Sequence, residues 1–351
     1  MEFESFSELM EFAKLRRCSD IHITVGTNLA IRSNGVLEIL EPAPSAERSQ
    51  EMIFSILTNE QRQLVMTGKD IDIGVMLPDE TRIRANVYHQ RNNLACSIRI
   101  LDSVIPSFEQ LGLPPVIKDL SEMPRGLVLI TGPTGSGKTT TLASMIEHIN
   151  NTTSRHIMTI EDPIEYVYPH KKAMIHQREV GKDVPSFATA LRSVLREDPD
   201  IILVGEMRDF ETIQAAITAA ETGHLVLSTL HTTSAAQTVE RVIDATPLEG
   251  QNQIRSAFAN VIRGVITQTL LPTSDGNSRV VATEVMLGTF AIANLIRENK
   301  TIQIPSLLQA GKSLGMHTLN DDLLSLYRRG KITRSEALKA SSDPNALEKM
   351  I

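Results

Sequence analysis

At 351 residues the chain exceeds what one hydrophobic core usually serves, so two domains are expected. A net charge of −7 argues against a nucleic-acid partner, and no apolar run approaches the ~20 residues that span a bilayer. Cys18 and Cys96 are isolated, which predicts neither a disulfide nor zinc, and the acidic start Met1-Glu2-Phe3-Glu4 lacks a signal-peptide pattern, so a cytoplasmic chain is expected.

Residues 5–17 have the spacing of a short amphipathic helix, with Phe6, Leu9, Met10 and Ala13 on one side. Residues 19–25 alternate polar and apolar, as a half-buried strand does. Two further strand patterns flank Ser33-Asn34-Gly35, a hairpin signal. Residues 45–67 are helical in pattern, and strand signals resume around Ile71–Leu77, Ile83–Val87 and Cys96–Ile100. Residues 1–101 therefore read as a small α+β domain. Within it Arg82, Arg84 and Asn86 alternate with Ile83, Ala85 and Val87, and Arg99 sits similarly on the next strand. One strand face is thus apolar and the other cationic.

Residues 102–125 carry Pro106, Pro114, Pro115 and Pro124 and read as a linker. From 126 the pattern becomes strand–helix alternation, the mark of a parallel sheet. Leu127-Val128-Leu129-Ile130 is a buried-strand run leading into Gly132-Pro133-Thr134-Gly135-Ser136-Gly137-Lys138-Thr139-Thr140, which fits the phosphate-cradling G-x-x-x-x-G-K-[ST] pattern. A helix follows, with Leu142, Met145, Ile146 and Ile149 on one face. Glycines let backbone N–H groups converge on phosphate oxygens, and the helix N-terminus adds partial positive charge. Lys138 can reach β- and γ-phosphates, and the Thr139 hydroxyl can bind Mg²⁺.

Three more apolar runs end at the same rim of this sheet. Residues 156–160 lead into Glu161-Asp162-Pro163-Ile164-Glu165, residues 201–204 into Gly205-Glu206, and residues 225–230 into His231. Ligands of open α/β sheets bind outside the carboxyl ends of the strands. Glu206 stands one place beyond the usual Walker B acid, positioned to orient water or to hold Mg²⁺ through it, and Glu165 can share either task. His231 is a candidate reader of the γ-phosphate. His224 lies at the opposite end of the same strand. Beside such a site the cationic face is either a plain solvated surface or an arginine set that closes over the γ-phosphate. Residues 247–271 have a long helical pattern, 278–287 a strand pattern, and short helices are expected beyond 304.

Together these motifs resemble the PilT-type retraction ATPases of type IV pili. The likeness is carried by the P-loop, the acidic box at 159–165, the Walker B stretch at 195–209 and the histidine box at 222–235. Ser19-Asp20-Ile21-His22 and the C-terminal Ala291-Ile292-Ala293-Asn294-Leu295-Ile296-Arg297-Glu298 add family-specific signatures. It implies an α/β chain with a PAS-like N-terminal domain (1–101), a RecA-like ATPase core (126–290) and a C-terminal helical subdomain (291–351). It further implies a homohexamer that binds ATP and Mg²⁺ between its domains. Docked on the inner-membrane platform protein at the pilus base, it would drive pilin removal and twitching motility. Glu206 corresponds to the catalytic acid and Glu165 to the acidic-box glutamate. His224 and His231 match the histidine pair, and Arg82, Arg84 and Arg99 the arginines facing nucleotide. Position 293 departs from the family, which usually has arginine there.

The alternatives differ in recognisable ways. Pilus-extension and type II secretion motors typically carry a four-cysteine zinc insertion that two isolated cysteines do not provide. A non-hydrolysing adaptor would lack an acid or the lysine, whereas Lys138, Glu165 and Glu206 are present. A nucleic-acid translocase would want basic or aromatic pore loops, and the chain has no tryptophan.

Overall fold

The computed structural model describes residues 3–33, 35–79, 81–101 and 104–351. The chain divides into two compact units, Met1–Val104 with Pro163–Val167, and Ile105–Asp162 with Tyr168–Ile351.

In the first unit α1 (Phe6–Leu15) is capped by the Ser5 side chain and turns Phe6, Leu9, Met10 and Ala13 inward. It is followed by β1 (Cys18–Thr24), β2 (Leu29–Ser33), β3 (Val36–Leu40), α2 (Ala46–Ser55) and α3 (Asn59–Met66). Then come β4 (Ile71–Met76), β5 (Arg82–Gln90) and β6 (Asn93–Leu101). The strands form one six-stranded sheet in the order β3-β2-β1-β6-β5-β4, every pair antiparallel. Asn34, centre of the expected hairpin, lies outside the described residues, but Ser33 pairs with Val36 across it. Period-two alternation sorts the two faces of the sheet. Ile21, Ile23, Ile83, Ala85, Val87 and Ile98 join Leu9 and Ile53 from the helices in one core. Asp20, Arg82, Arg84 and Arg99 occupy the opposite face by the same alternation. Both cysteines are free and buried, and burial pushes the Cys96 thiol up to about 12.

The second unit begins inside the segment expected to be a linker. Residues 102 and 103 lie outside the described residues, but α4 (Phe108–Leu111) and α5 (Val116–Ser121) belong to this unit. Ile117 and Leu120 are fully buried, and Leu120 lies so close over Gly264 that a Cβ there would come within 2.6 Å of it. Pro114 and Pro115 lead into a short helix here rather than hold the chain extended; their fixed φ suits a first turn.

β7 (Gly126–Thr131) and α6 (Lys138–Thr152) open the main sheet, followed by β8 (His156–Glu161), β9 (Met174–Glu179) and α7 (Phe187–Val194). β10 (Ile201–Val204), α8 (Phe210–Glu221), β11 (Leu225–Leu230) and α9 (Ala235–Asp244) continue the alternation. α10 (Gln251–Val261), β12 (Ile262–Pro272) and β13 (Arg279–Leu287) complete it. The strand order is β13-β12-β7-β11-β10-β8-β9, parallel except for β13 on the outer edge. Every residue of β7, β10 and β11 is buried, which is why they stand out as unbroken apolar runs.

Residues 247–271 do not form the single helix expected. α10 stops at Val261 and β12 takes over, because Val265, Ile266, Thr267 and Thr269 are β-branched and Gly264 weakens a helix interior. The C-terminal stretch 291–351 is also not one separate subdomain. α11 (Phe290–Arg297) and α12 (Ile304–Ala310) place Ile292, Ile296, Ile304 and Leu308 in the main core. Only α13 (Leu319–Arg328), α14 (Arg334–Ala340) and α15 (Pro344–Glu348) share a smaller core, with Leu271 and Ala282 of the edge strands. An apolar helix stripe settles on whichever face is open to it, and the antiparallel edge offers one. No helix of the described residues is long and apolar enough to cross a membrane.

Candidate active site

After Thr131 the chain turns through a glycine loop into α6. Gly132 has φ 141°, and a Cβ there would lie 2.2 Å from the Gln268 carbonyl oxygen. Gly137, just before Lys138, has φ 89°. Both positions require glycine. Among the described residues no side chain caps α6, which leaves its N-terminus without a side-chain partner, as anion sites at helix N-termini require. Pro133, Thr134, Gly135 and Thr139 are exposed and Thr140 is half-buried. The Ser136 hydroxyl is buried with no hydrogen-bond partner. A backbone cradle with an unsatisfied hydroxyl fits a phosphate ligand.

Lys138 is buried, and its ammonium donates to the carbonyls of Gly132 (2.8 Å) and Pro133 (2.9 Å). Burial pulls its pKa down, and the charge of Glu206 pulls the other way. Glu206 is therefore electrostatically within reach of the loop. It follows β10, whose end is fixed when Gly205 N–H donates to Ile160 O (2.8 Å) and Thr229 Oγ1 to Gly205 O (2.6 Å). One oxygen of Glu206 takes the Arg208 Nε at 2.5 Å, and the other lies 3.5 Å from His231 Nε2. Its side chain is only 14% exposed, whereas that of His231 is 48% exposed. A sheltered carboxylate beside an accessible imidazole can hold and orient a small donor such as water.

Sequence reasoning missed Gln268. It sits on β12, in the stretch expected to be helical, and is 2% exposed. Its amide donates to Ser136 O (2.7 Å), and its oxygen accepts from Thr141 Oγ1 (3.0 Å). The Thr131 and Thr267 hydroxyls bond alongside at 2.8 Å. The polar run Thr267-Gln268-Thr269 between apolar neighbours is the available signal.

Other expected site residues fall elsewhere. His224 stands at the amino end of β11, where its Nδ1 donates to Ala219 O (2.8 Å) and satisfies a carbonyl of the α8 terminus. Its side chain therefore has a structural task at the edge opposite His231. Glu161 is buried, accepting from Thr159 Oγ1 (2.7 Å) and Gln177 Nε2 (3.1 Å). Glu165, with Pro163–Val167, groups with the first unit rather than with the second. There its Oε1 lies 4.0 Å from Arg84 Nη1. Arg84 is also clasped by Asp72, with Nη2–Oδ2 at 2.6 Å, and Arg99 Nε meets Asp20 at 3.1 Å. Arg82, Arg84 and Arg99 share one sheet face.

Among the described residues no group of three or more His, Cys, Asp or Glu side chains is placed to hold a metal by itself. A Mg²⁺ would have to arrive with phosphate oxygens and meet the Thr139 hydroxyl, a coordination this ion favours.

Residues 4–320 match the family model of the type II/IV secretion system proteins. The type IV pilus retractation ATPase PilT of Pseudomonas aeruginosa is 46% identical over 339 residues, which covers 96% of this chain and 98% of that one. A twitching motility protein of Neisseria gonorrhoeae is 47% identical over 306 residues, 87% of this chain and 82% of that one. The crystal structure of the pilus retraction motor PilT with bound ADP matches with a TM-score of 0.92 at 46% identity, across 99% of this chain and 100% of the other. The chain belongs to the type II/IV secretion system protein family, among its PilT-type, ATP-hydrolysing members.

Proposed function

We propose that this chain is the motor that retracts a type IV pilus, acting as a homohexameric Mg²⁺-ATPase. In this role the first unit is a PAS-like domain and the second a RecA-like domain. The ring sits on the cytoplasmic side of the inner membrane, docks on the platform protein at the pilus base and draws pilin out of the filament. Support comes chiefly from the meeting of Glu206 with His231, within electrostatic reach of Lys138, at the carboxyl rim of the β7–β11–β10 strands.

Each group has a task there. The cradle of residues 132–140 holds the triphosphate, and Lys138 neutralises its outer charge. Mg²⁺, when bound beside Thr139, supplies further neutralisation of the phosphate oxygens. Glu206 orients the attacking water and accepts its proton, with Glu165 assisting. His231 senses whether the terminal phosphate is present, and Arg82, Arg84 and Arg99 supply cations that shield developing charge.

A second role, as an accessory motor assisting retraction, is favoured by one position. Ala293 replaces the arginine expected in the C-terminal signature, and it is buried in α11. The two roles separate in cells lacking this chain, where loss of retraction identifies the principal motor. For the chemistry, Glu206→Gln should keep ATP binding while turnover falls by about two orders of magnitude or more. Undiminished turnover in that variant, or an assembly mass of a monomer during turnover, would refute the proposal.

A further inference from the structure

Glu284, on β13, is a buried carboxylate with no place in the chemistry described above. Its Oε1 accepts the N–H of Ala235 (2.8 Å), the first residue of α9, and its Oε2 that of Leu319 (3.5 Å), the first residue of α13. One anion thus faces two helix N-termini, whose dipoles both favour it. Burial raises its pKa, opposed by these two N–H groups and by the charge of His317.

Both neighbouring segments are stiff. From His231 to Ala235 the chain is braced where Thr232 bonds Thr238 (2.7 Å) and Thr233 donates to Gln237 (2.8 Å). On the other side, Thr283 N–H donates to Asp322 Oδ2 (2.8 Å), and Val285 exchanges backbone bonds with His317. A shift at His231 therefore reaches Ala235 with little slack, and from Ala235 it meets Glu284.

We propose that Glu284 is a positioning residue that fixes the His231 segment against Glu206 and passes its nucleotide-dependent movement to α13. This inference rests on the assignment of Glu206 and His231 made above. Substitutions separate its two arms. Glu284→Ala removes both, whereas Glu284→Gln keeps an acceptor for Ala235 but turns an amide donor toward the Leu319 N–H.

The test is steady-state ATPase activity of the full chain, together with hydrogen exchange of amides 319–328 with and without ADP. Glu284→Ala should lower kcat, counted per mole of folded protein, about tenfold with KM for ATP changed by no more than about twofold. Glu284→Gln should lower kcat less, yet lose the ADP-dependent protection of 319–328 seen in the wild type. A Glu284→Gln protein whose 319–328 amides still respond to ADP overturns the inference. So does a wild type whose amides there ignore ADP. His231→Ala is the control: normal turnover in that variant removes the site assignment, while the exchange result still judges Glu284 independently.

Discussion

Gln268 and Ser136 are 132 positions apart, and the glutamine amide holds the serine carbonyl at 2.7 Å inside the fold. Through its bond to Thr141, Gln268 spans the P-loop from its last turn to the first turn of α6. A phosphate cradle made of backbone works only while its N–H groups stay aligned, and a buried side chain bonded at both sides of the loop keeps them so. Gln268→Leu has nearly the same volume but leaves the Ser136 carbonyl and the Thr141 hydroxyl without their partner. The expected cost is about 1–3 kcal/mol of stability. ADP affinity, measured by calorimetry, should weaken roughly tenfold, equivalent to about 1.4 kcal/mol. Unchanged affinity would mean that the loop keeps its shape without this clasp.

On the first unit, Arg84 and Arg99 stand directly opposite each other on β5 and β6. Like charges in register destabilise a sheet, and Asp72 and Asp20 each engage one of them. The Arg84–Asp72 pair is about a third to two-fifths exposed, so water screens it and its own contribution stays within about 1 kcal/mol. Arg84→Ala should therefore leave the melting temperature close to wild type. Turnover should fall at least about tenfold if the guanidinium meets nucleotide. Asp72→Ala tests the same point from the other partner, since it releases Arg84 without removing it. Wild-type turnover in Arg84→Ala would remove this guanidinium from the nucleotide site.

The ATPase sheet was legible where burial is complete. β7, β10 and β11 are short apolar runs bounded by turn residues, and the P-loop pattern marks the exit of one of them. β9 was not legible, because Met174-Ile175-His176-Gln177-Arg178-Glu179 lies on the sheet edge and keeps mostly polar side chains. β12 was hidden by the helical spacing that runs into it from α10, and Gln268 was hidden with it. The placement of Glu165 with the first unit is likewise invisible in sequence, because it depends on a long-range contact with Arg84 rather than on local pattern. The cationic strand face, by contrast, follows from alternation alone.

Lys138 couples binding to stability. The residue is 8% exposed, its ammonium is held by two carbonyls, and burial lowers its pKa from 10.5. A base with a depressed folded pKa binds its proton less readily when folded than when unfolded. Below both values the buried charge therefore costs stability, and the cost fades as pH rises through the folded pKa toward 10.5. Lys138→Met keeps the stem and removes the charge. Without nucleotide it should melt at or above the wild-type temperature at pH 7, and this advantage should shrink at alkaline pH. With ADP at about a hundred times its dissociation constant the wild type gains about 2.7 kcal/mol, and the variant should gain none. A variant that melts well below wild type at pH 7 would show that the two carbonyl bonds outweigh the burial cost. A variant still stabilised by ADP would remove Lys138 from the nucleotide grip.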